Sequence, residues 1–452
     1  MRLVRIPALL AALSILWLAG CGSSVPPAAP IQVVFFSDVH FDPFYDTQIF
    51  GALVAAPAEE WESIFERSTV TAVSIWPAET NYPLLVKALA AVGERSASSP
   101  FLIFGGDMLT HSFSDTFYRL YQAPDAAAMR QFKMKTVSFF ARKVRASVGS
   151  TPVVFTLGNN DAYEANYMLE PNGAFLADTA DLLYRDLLAG SADLASYRQT
   201  YTAGGYYAAE PAGGNLIVVG LNSIFLSPRS APGIEGAVQA ELDWLETTLA
   251  GASLSGKRVW IVMHIPPGAD IFTTKDLVDA QGQIGSAAMG WKADPQARFL
   301  RILAAYPEIV SAMFAGHTHM DEYRLPFGLL EVSPSVSPVF GNDPAFKTFT
   351  VSDGGDLLDY TSTNLALGRT DATFATSYTF STTYPVSGIL QSALPRLFPL
   401  LVSSPALEAS YRLRYYSGHD AASPITDRNW PVYWCGIAAM AERDVVDCVN
   451  GY

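Results

Sequence analysis

The sequence predicts an α/β fold, because apolar stretches of strand length alternate with helix-like segments over most of its 452 residues. This rhythm favours parallel or mixed strands, and half of the residues are apolar, which is enough for a large core. The predicted strands occupy residues 31–36, 101–104, 152–157, 215–221, 258–263, 309–314 and 324–332. The predicted helical segments lie near residues 83–93, 126–148, 174–188, 238–249 and 295–305.

The chain is longer than a single typical domain, which favours one large domain with an elaboration. The rhythm of motifs ceases near residue 360, so we expect a main domain at residues 31–360 and a C-terminal extension at 361–452. Helices are predicted at 385–416, and 430–452 is predicted to be a closing segment. The formal net charge of −14 argues against a nucleic-acid scaffold, whose affinity would come from phosphate neutralisation.

Five of the six histidines lie in short motifs that follow predicted strands. The motifs are Asp38-Val39-His40, Gly106-Asp107 with His111 shortly after it, Gly158-Asn159-Asn160-Asp161, His264, and Gly316-His317-Thr318-His319. In α/β sheets, the loops beyond the carboxyl ends of the strands converge on one rim. We therefore expect these motifs to surround a common site.

These residue types are typical ligands of a pair of metal ions. A carboxylate oxygen can bridge two cations, a neutral imidazole suits zinc, iron or manganese, and an amide oxygen adds a ligand without charge. Two such ions about 3.5–4 Å apart can clamp a phosphate and turn a bridging water into hydroxide. Taken singly, each residue has a plainer explanation, such as a turn aspartate or a core histidine at His264. Their joint occurrence favours hydrolysis of a phosphate ester.

In this order, the motifs resemble those of the calcineurin-like metallophosphoesterase superfamily. The acid sphingomyelinase-like phosphodiesterase branch is indicated by His264-Ile265-Pro266-Pro267-Gly268, by His111, and by segment 346–360 with its Leu357-Leu358-Asp359-Tyr360. The resemblance covers residues 31 to 450. It implies a four-layer α/β/β/α sandwich of two mixed sheets, and we expect the C-terminal extension to be helical.

The resemblance also implies two divalent metal ions, with zinc favoured and manganese or iron as alternatives. One ion would be held by Asp38, His40, Asp107 and His319. The other would be held by Asp107, Asn159, His264 and His317, so that Asp107 is the bridge.

The motif around Asn160 departs from the family pattern, which commonly has a histidine here that contacts the phosphate. An amide donates a hydrogen bond but supplies no proton near neutral pH. His111 matches the second active-site histidine of the sphingomyelinase-like branch, and the resemblance implies that it is the proton donor. Asn160 and His111 are the predicted catalytic residues. A polar surface histidine is the alternative for His111. Fungal endopolyphosphatases resemble this chain in having Gly-Asn-Asn-Asp here, so the change does not by itself indicate an inactive enzyme.

Substrate contacts are less clearly indicated. Asn81 and Tyr82 are weak candidates for lining the cleft, since a turn that leads into a helix explains them equally well. The predicted substrate is a phosphodiester or phosphoanhydride, whether a lipid headgroup, a nucleotide or polyphosphate. The alternative is a catalytically silent, metal-binding surface protein that uses the same scaffold for recognition.

The first residues predict export. A basic start, an apolar stretch and the Leu18-Ala19-Gly20-Cys21 segment resemble a bacterial lipoprotein signal. We expect a signal peptide at 1–20, lipidation at Cys21, a tether at 21–30, and a membrane-anchored protein of the bacterial cell envelope. A plain signal peptide or a short anchor is the alternative. The short tether leaves no room for the saposin-like domain of acid sphingomyelinases.

Export also bears on the other two cysteines, Cys435 and Cys448. In an oxidising compartment, an isolated pair near the C-terminus favours a disulfide over a metal site, which would need more thiol or imidazole partners. Two unpaired buried thiols are the alternative.

Overall fold

The computed structural model describes residues 29–369, 371–419 and 424–452. The predicted signal peptide and Cys21 lie outside these residues. The described chain contains two six-stranded sheets of mixed direction. Within the described ranges, no helix combines the length and apolar character that crossing a bilayer requires.

The strands are β1 (Ile31–Phe36), β2 (Leu102–Phe104), β3 (Val153–Phe155), β4 (Tyr207–Ala209), β5 (Leu216–Gly220), β6 (Arg258–Val262), β7 (Val310–Ala315), β8 (Glu322–Arg324), β9 (Leu330–Val332), β10 (Ala345–Val351), β11 (Leu357–Asn364) and β12 (Ala375–Thr379). The first sheet has the order β12-β11-β10-β1-β2-β3, and the second has the order β4-β5-β6-β7-β9-β8. In the first sheet, β1, β2 and β3 run parallel to one another. In the second sheet, β5, β6, β7 and β9 do so. The remaining pairs are antiparallel.

The helices are α1 (Phe50–Ala55), α2 (Trp61–Phe65), α3 (Tyr82–Arg95), α4 (Phe113–Tyr121), α5 (Ala126–Val148), α6 (Ala174–Leu183), α7 (Leu194–Gly204), α8 (Glu235–Ser255), α9 (Ile271–Thr274), α10 (Ala293–Ala305), α11 (Phe380–Thr383), α12 (Leu390–Ser403), α13 (Pro405–Tyr415), α14 (Trp430–Ala438) and α15 (Glu442–Gly451). The predicted helical segments are all confirmed. A π-helical turn, Tyr184–Leu188, continues α6 to the predicted end.

The two sheets pack face to face and carry helices on their outer faces. Phe35 of β1 contacts Phe314 of β7, with ring centroids 5.4 Å apart. On the outer side of the first sheet, Phe140 of α5 packs against Phe104 of β2, while α8 packs against β6 of the second. The central strands are apolar because both of their faces are buried. This arrangement confirms the four-layer sandwich.

One predicted strand, at residues 324–332, is wrong as a single element. β8 ends at Arg324, β9 begins at Leu330, and the two strands pair antiparallel. Positive φ angles at Phe327 (50°) and Gly328 (147°) turn the chain between them. The apolar residues on both sides of this turn gave the appearance of one continuous strand.

Four strands have no counterpart among the predicted elements: β4, β10, β11 and β12. β4 has only three residues. The other three strands lack a long apolar run, and β11 ends in the polar stretch Thr361-Ser362-Thr363-Asn364. The first sheet continues to Thr379, so the predicted boundary at residue 360 falls inside β11. The division of the chain into domains stays a prediction.

The C-terminal region is helical, as predicted, and consists of α12 to α15. Cys435 on α14 and Cys448 on α15 form a disulfide. This confirms the predicted pairing. Helix α14 also packs against β8 and α9, which places the extension beside the second sheet.

Candidate metal centre and adjoining cavity

Loops at the carboxyl ends of five strands meet at one rim of the sandwich. Asp38 and His40 follow β1, Asp107 follows β2, Asn159 and Asn160 follow β3, His264 follows β6, and His317 and His319 follow β7. The structure thus brings together all seven ligands expected from the sequence. Both sheets contribute to the cluster.

Five of these ligands have a left-handed backbone conformation. The φ angles are 52° at Asp38, 45° at His40, 59° at Asp107, 71° at His317 and 65° at His319. This conformation costs a non-glycine residue on the order of 1–3 kcal/mol and clusters at functional sites. Surrounding packing, rather than local preference, therefore maintains the turns that aim these side chains at the rim.

Glycines beside the ligands let the loops approach each other closely. At Gly158 a Cβ atom would meet the carboxylate of Asp107, and at Gly316 it would meet the carboxylate of Asp38. Gly106 has a φ of 96°, which a side chain would disfavour. Glycine at these positions therefore permits the tight turns and the close backbone approach that bring the ligands together.

One group of potential ligand atoms comprises the Asp38 carboxylate and the imidazoles of His40 and His319. His40 Nε2 lies 3.1 Å from His319 Nε2, and His319 Nε2 lies 3.4 Å from Asp38 Oδ1. All three residues are buried. Their ligand atoms therefore converge on one small volume.

A second group contains Asp107 and His264, again with Asp38. His264 Nε2 lies 3.3 Å from Asp107 Oδ2 and 3.0 Å from Asn159 Oδ1. Asp107 Oδ2 also lies 3.4 Å from His40 Nε2 in the first group. A single carboxylate oxygen thus stands between the two groups, where a bridging ligand belongs.

Backbone carbonyls fix the tautomers of His40 and His264. Nδ1 of His40 lies 3.0 Å from Leu109 O, and Nδ1 of His264 lies 2.8 Å from Gly105 O. Because a carbonyl oxygen can only accept, each Nδ1 carries a proton, and in the neutral ring the Nε2 lone pair faces the cluster. At His264 this lone pair faces the Asn159 amide oxygen. Both atoms then offer electron pairs, and a cation bound between them would accept from both. The donor set therefore fits a pair of divalent ions.

Burial and mutual charge perturb the cluster strongly. Burial raises the pKa of Asp38 to about 7, and burial together with His111 lowers the pKa of His40 to about 4. Burial also lowers the pKa of His264, but the Asp107 carboxylate outweighs it and brings the pKa to about 9. Adjacent groups are thus pushed to opposite protonation states, a pattern typical of functional sites.

His317 lies on the cavity side of His264, with ring centroids 5.1 Å apart. Its backbone N–H donates to Asp38 Oδ2 at 3.0 Å. Its Nε2 lies 3.4 Å from the hydroxyl of Tyr167. The ring therefore adjoins the second group, and its role as a ligand stays a prediction.

The loop after β3 is fastened to the centre by side-chain hydrogen bonds. Asn159 Nδ2 donates to Asn166 Oδ1 at 2.7 Å, which leaves Asn159 Oδ1 directed at His264. The carboxylate of Asp161 accepts from four backbone N–H groups, those of Asp107, Met108, Leu109 and Gly158. Asp161 thereby ties the loop after β2 to the loop after β3.

Asn160 has a different place from the catalytic one that we predicted. Its backbone N–H donates to Asp107 Oδ1 at 2.8 Å, and its Nδ2 donates to Asp107 Oδ2 at 3.0 Å. The side chain is buried and is not part of the cavity wall. Because both of its donors point at the carboxylate, Asn160 is a positioning residue for Asp107.

His111 lies against the first group and faces the cavity. Its ring stacks on that of His40 at a centroid distance of 4.3 Å, and its side chain is 30% exposed. Its Nδ1 lies 2.5 Å from Oε1 of Glu79. Burial lowers the pKa of His111, but the Glu79 carboxylate outweighs it and raises the pKa above the ordinary value. Sequence reasoning missed this partnership, since the two residues are far apart in the chain.

A cavity of about 310 Å³ adjoins the centre. Its walls include Asp107, His111 and His317 from the rim, and Phe272 and Phe340 nearby. The C-terminal extension contributes Tyr415, Tyr416 and Tyr433. The extension therefore helps to shape the cavity beside the centre.

The weakly predicted substrate residues lie elsewhere. Asn81 is the N-cap of α3, and its Oδ1 accepts from the backbone N–H of Leu84 at 3.1 Å. Tyr82 stacks on Phe65 with centroids 4.7 Å apart. Neither residue lines the cavity. The predicted contact with the substrate is therefore wrong for this cavity. The alternative explanation, a turn that leads into a helix, describes both residues.

Comparison with known proteins places this chain among phosphoesterases. Residues 31–321 match the family model described as calcineurin-like phosphoesterase. The chain is 21% identical over 466 residues to sphingomyelin phosphodiesterase B of Dictyostelium discoideum, which covers 94% of this chain and 67% of the relative. It is 22% identical over 483 residues to a cyclic GMP-AMP phosphodiesterase of Rattus norvegicus, covering 98% of each. It is 24% identical over 340 residues to an endopolyphosphatase of Schizosaccharomyces pombe, covering 73% and 49% respectively.

The sandwich and the carboxylate-centred cluster of imidazoles at its rim define a metal-dependent phosphoesterase with a candidate two-metal site. Since the matched family model spans more than half of its length, the chain belongs to the calcineurin-like phosphoesterase family. The predicted family is thereby confirmed. Its relatives include acid sphingomyelinase-like phosphodiesterases, in agreement with the predicted branch.

Proposed function

We propose that this protein hydrolyses a phosphodiester or a phosphoanhydride with the help of two divalent ions. The observation that carries the proposal concerns Asp107, which lines the cavity. Its Oδ2 atom lies 3.4 Å from His40 Nε2 and 3.3 Å from His264 Nε2. When bound, the ions would neutralise the phosphate, lower the pKa of a water molecule and stabilise the charge that develops during in-line displacement. Zinc suits this imidazole-rich donor set, with manganese or iron as alternatives.

The seven ligands divide as the family pattern implies. Asp38, His40 and His319 would hold one ion, Asn159, His264 and His317 would hold the other, and Asp107 would contribute to both. Asn160 supports the arrangement by keeping the Asp107 carboxylate oriented. Since Asn160 has this supporting role, its departure from the common histidine gives no reason to regard the site as silent.

His111 is the proposed proton donor to the leaving group. Glu79 engages its Nδ1, so Nε2 is the nitrogen that remains for a group in the cavity. The raised pKa of His111, caused by the Glu79 carboxylate against the effect of burial, keeps the ring protonated at higher pH than usual. A protonated imidazole beside the reacting phosphate is suited to general acid catalysis.

The substrate class is inferred from chemistry common to the relatives. Their names mention sphingomyelin, cyclic GMP-AMP and polyphosphate, which share a phosphoryl group linked on both sides. The cavity offers aromatic rings and cationic side chains next to the centre. Either type of wall can hold the group attached to the reacting phosphate.

The decisive experiment is hydrolysis by protein reconstituted with zinc or manganese. The panel contains bis(4-nitrophenyl) phosphate, 4-nitrophenyl phosphate, ATP, polyphosphate and sphingomyelin. We expect turnover of at least one diester or anhydride, with two ions bound per chain. Two bound ions without turnover of any compound would support a metal-binding surface protein instead.

We also propose that the protein is exported and held on a bacterial membrane through a lipid on Cys21. The support is the signal-like sequence before this residue. Cys21→Ser should release the protein from the membrane fraction, whereas an exchange at the neighbouring Ser23 should not. Membrane retention of the Cys21 variant would contradict the lipid anchor.

A further inference from the structure

One wall of the cavity has no part in the proposed reaction. On the side of His317, the guanidinium of Arg229 lies over the ring of Tyr167, 5.4 Å from its centroid. Arg229 Nη1 lies 3.4 Å from the Tyr167 hydroxyl, and the same hydroxyl lies 3.4 Å from His317 Nε2. A positive charge is thus connected to a candidate metal ligand through a single hydroxyl group.

Besides its histidines, the described part of the cavity wall contains two arginines and one lysine, and these three side chains differ in what they contact. Arg324 is buried and donates to a backbone carbonyl and to a carboxylate. Lys275 lies 2.9 Å from the carboxylate of Asp276. The Arg229 side chain is 56% exposed and lies 3.7 Å from Asp270 Oδ2, beyond hydrogen-bonding distance. Arg229 therefore retains donors that can face a ligand.

The carboxylate beside Arg229 is committed to another contact. Asp270 is the N-cap of α9, and its two oxygens accept from the backbone N–H and the hydroxyl of Thr273, at 3.1 Å and 2.7 Å. It adjoins the guanidinium without forming the two-point pair that arginine makes with an available carboxylate. An anionic ligand can therefore compete for Arg229.

We propose that Arg229 and Tyr167 form a subsite for a second phosphoryl group, next to the one that reacts. The planar guanidinium matches phosphate oxygens, and the Tyr167 ring holds it beside the centre. Because the whole chain carries a net charge of −14, its overall field does not attract an anion, so attraction must come from local cations. This inference rests on the proposed function and narrows the substrate to compounds with linked phosphoryl groups, such as phosphoanhydrides.

The test compares two non-hydrolysable probes that differ by one phosphoryl group. Binding of methylenediphosphonate and methylphosphonate to the zinc-loaded protein is measured by calorimetry. Arg229→Ala should weaken the binding of methylenediphosphonate about 10- to 100-fold, as expected for loss of a charge-assisted contact. The binding of methylphosphonate should stay nearly unchanged. Arg229→Lys keeps the positive charge but loses the planar pair of N–H donors, so it should give an intermediate loss of affinity.

Arg443→Ala is the matched control. Arg443 on α15 is also an exposed cation beside a carboxylate, with Nε 3.5 Å from Asp447 Oδ2, and it is not part of the cavity wall. This variant should bind both probes as the parent protein does. Equal weakening of both probes by Arg229→Ala, or weakening of neither, would reject the subsite.

Hydrolysis of bis(4-nitrophenyl) phosphate, which has one phosphoryl group, separates the two proposals. If the parent protein hydrolyses this diester but the contrast between probes is missing, the subsite alone is rejected. If the contrast is found but no ester or anhydride is hydrolysed, the proposed function is rejected and the anion subsite stands. A loss of bis(4-nitrophenyl) phosphate turnover in Arg229→Ala as large as the loss of diphosphonate binding would also reject the subsite.

Discussion

The histidines of the metal centre form two pairs that are held differently. His40 and His264 follow the ends of central strands, are fully buried, and have Nδ1 fixed by backbone carbonyls. His317 and His319 lie in the loop after β7. His317 Nε2 has the Tyr167 hydroxyl at 3.4 Å, and His319 Nδ1 has no hydrogen-bond partner among the residues that the structure describes.

Each proposed ion would therefore meet one imidazole that is oriented in advance and one that is less constrained. A preoriented ligand costs little entropy to immobilise, whereas a less constrained ligand is aligned at the expense of binding free energy. We call His40 and His264 the fixed half of the centre, and His317 and His319 the adjustable half. Five variants test or sharpen this comparison, from the largest expected effect to the smallest.

Asp107→Asn should affect both proposed ions together. Asp107 Oδ2 lies between His40 and His264, and each of these imidazoles belongs to a different ion. We expect metal content to fall below two ions and turnover to drop by at least about 10⁴-fold, because in the proposed mechanism the ions would supply the activated water. Elemental analysis and steady-state kinetics measure the two effects. Asp178→Asn, which changes a peripheral carboxylate bound to Tyr163, is the control. Two ions per chain in Asp107→Asn would remove this residue from the bridging position.

His111→Ala should leave both halves intact and slow only the departure of the leaving group. Esters with a poor alkoxide leaving group should react about 10²–10⁴-fold more slowly, as expected for loss of a general acid. A nitrophenyl ester, whose leaving group needs little protonation, should lose much less, and metal content should stay unchanged. An equal loss for both esters would instead assign His111 to phosphate binding.

Asn160→His in the His111→Ala background completes this test. Because the Asn160 side chain is bound to the Asp107 carboxylate, we expect little recovery of rate from an imidazole at this position. Recovery of most of the lost rate would show that position 160 can reach the leaving group after all.

Tyr167→Phe should disturb only the adjustable half. Without the hydroxyl near Nε2, His317 is less well oriented, and the affinity for one of the two ions should fall about 10-fold. Titration of metal-free protein with zinc measures the two affinities separately. Tyr163→Phe is the control in the same loop, since its hydroxyl contacts Asp178 rather than the centre. A similar loss at both ions would show that Tyr167 does not act through His317 alone.

Replacing Cys435 and Cys448 together by serine should affect stability and not the centre. The disulfide closes a short loop, with a sequence separation of 13, and such a cross-link contributes about 3 kcal/mol to the free energy of unfolding. The melting temperature should fall while metal content stays constant. In the unaltered protein, both thiols should resist labelling until they are reduced. Loss of bound metal in the double variant would show that the centre depends on the extension.

Sequence reasoning identified the cluster because its ligands lie in short polar motifs directly after apolar strands. The contacts that orient these ligands could not be found in the same way. The carbonyls of Gly105 and Leu109 belong to the backbone and have no sequence signature, and Glu79 meets His111 only through the fold. Asn160 was assigned by analogy with a catalytic histidine, whereas its hydrogen bonds to Asp107 depend on three-dimensional geometry.

The prediction of the fold shows the same difference between features with a local sequence signature and features without one. Buried central strands were predicted because continuous apolar runs are characteristic of them. β10, β11 and β12 were missed because antiparallel strands toward a sheet edge carry polar residues on one face, and β8 and β9 were merged because their turn is short. Among the missed strands, β10 also pairs with a partner that is distant in sequence, β1, whereas β11 and β12 pair with the strands directly before them.

The pairing of β1 with β10 has a consequence for the order of assembly. Gln32 of β1 donates to Thr350 of β10, 318 positions later, and contacts of such high order form late because they close a long loop. Asp38 and His40 follow β1 directly, so their final placement depends on a strand that is synthesised after every candidate ligand. A chain interrupted between residues 320 and 344 would therefore contain all seven candidate ligands and still lack the strand that completes the site.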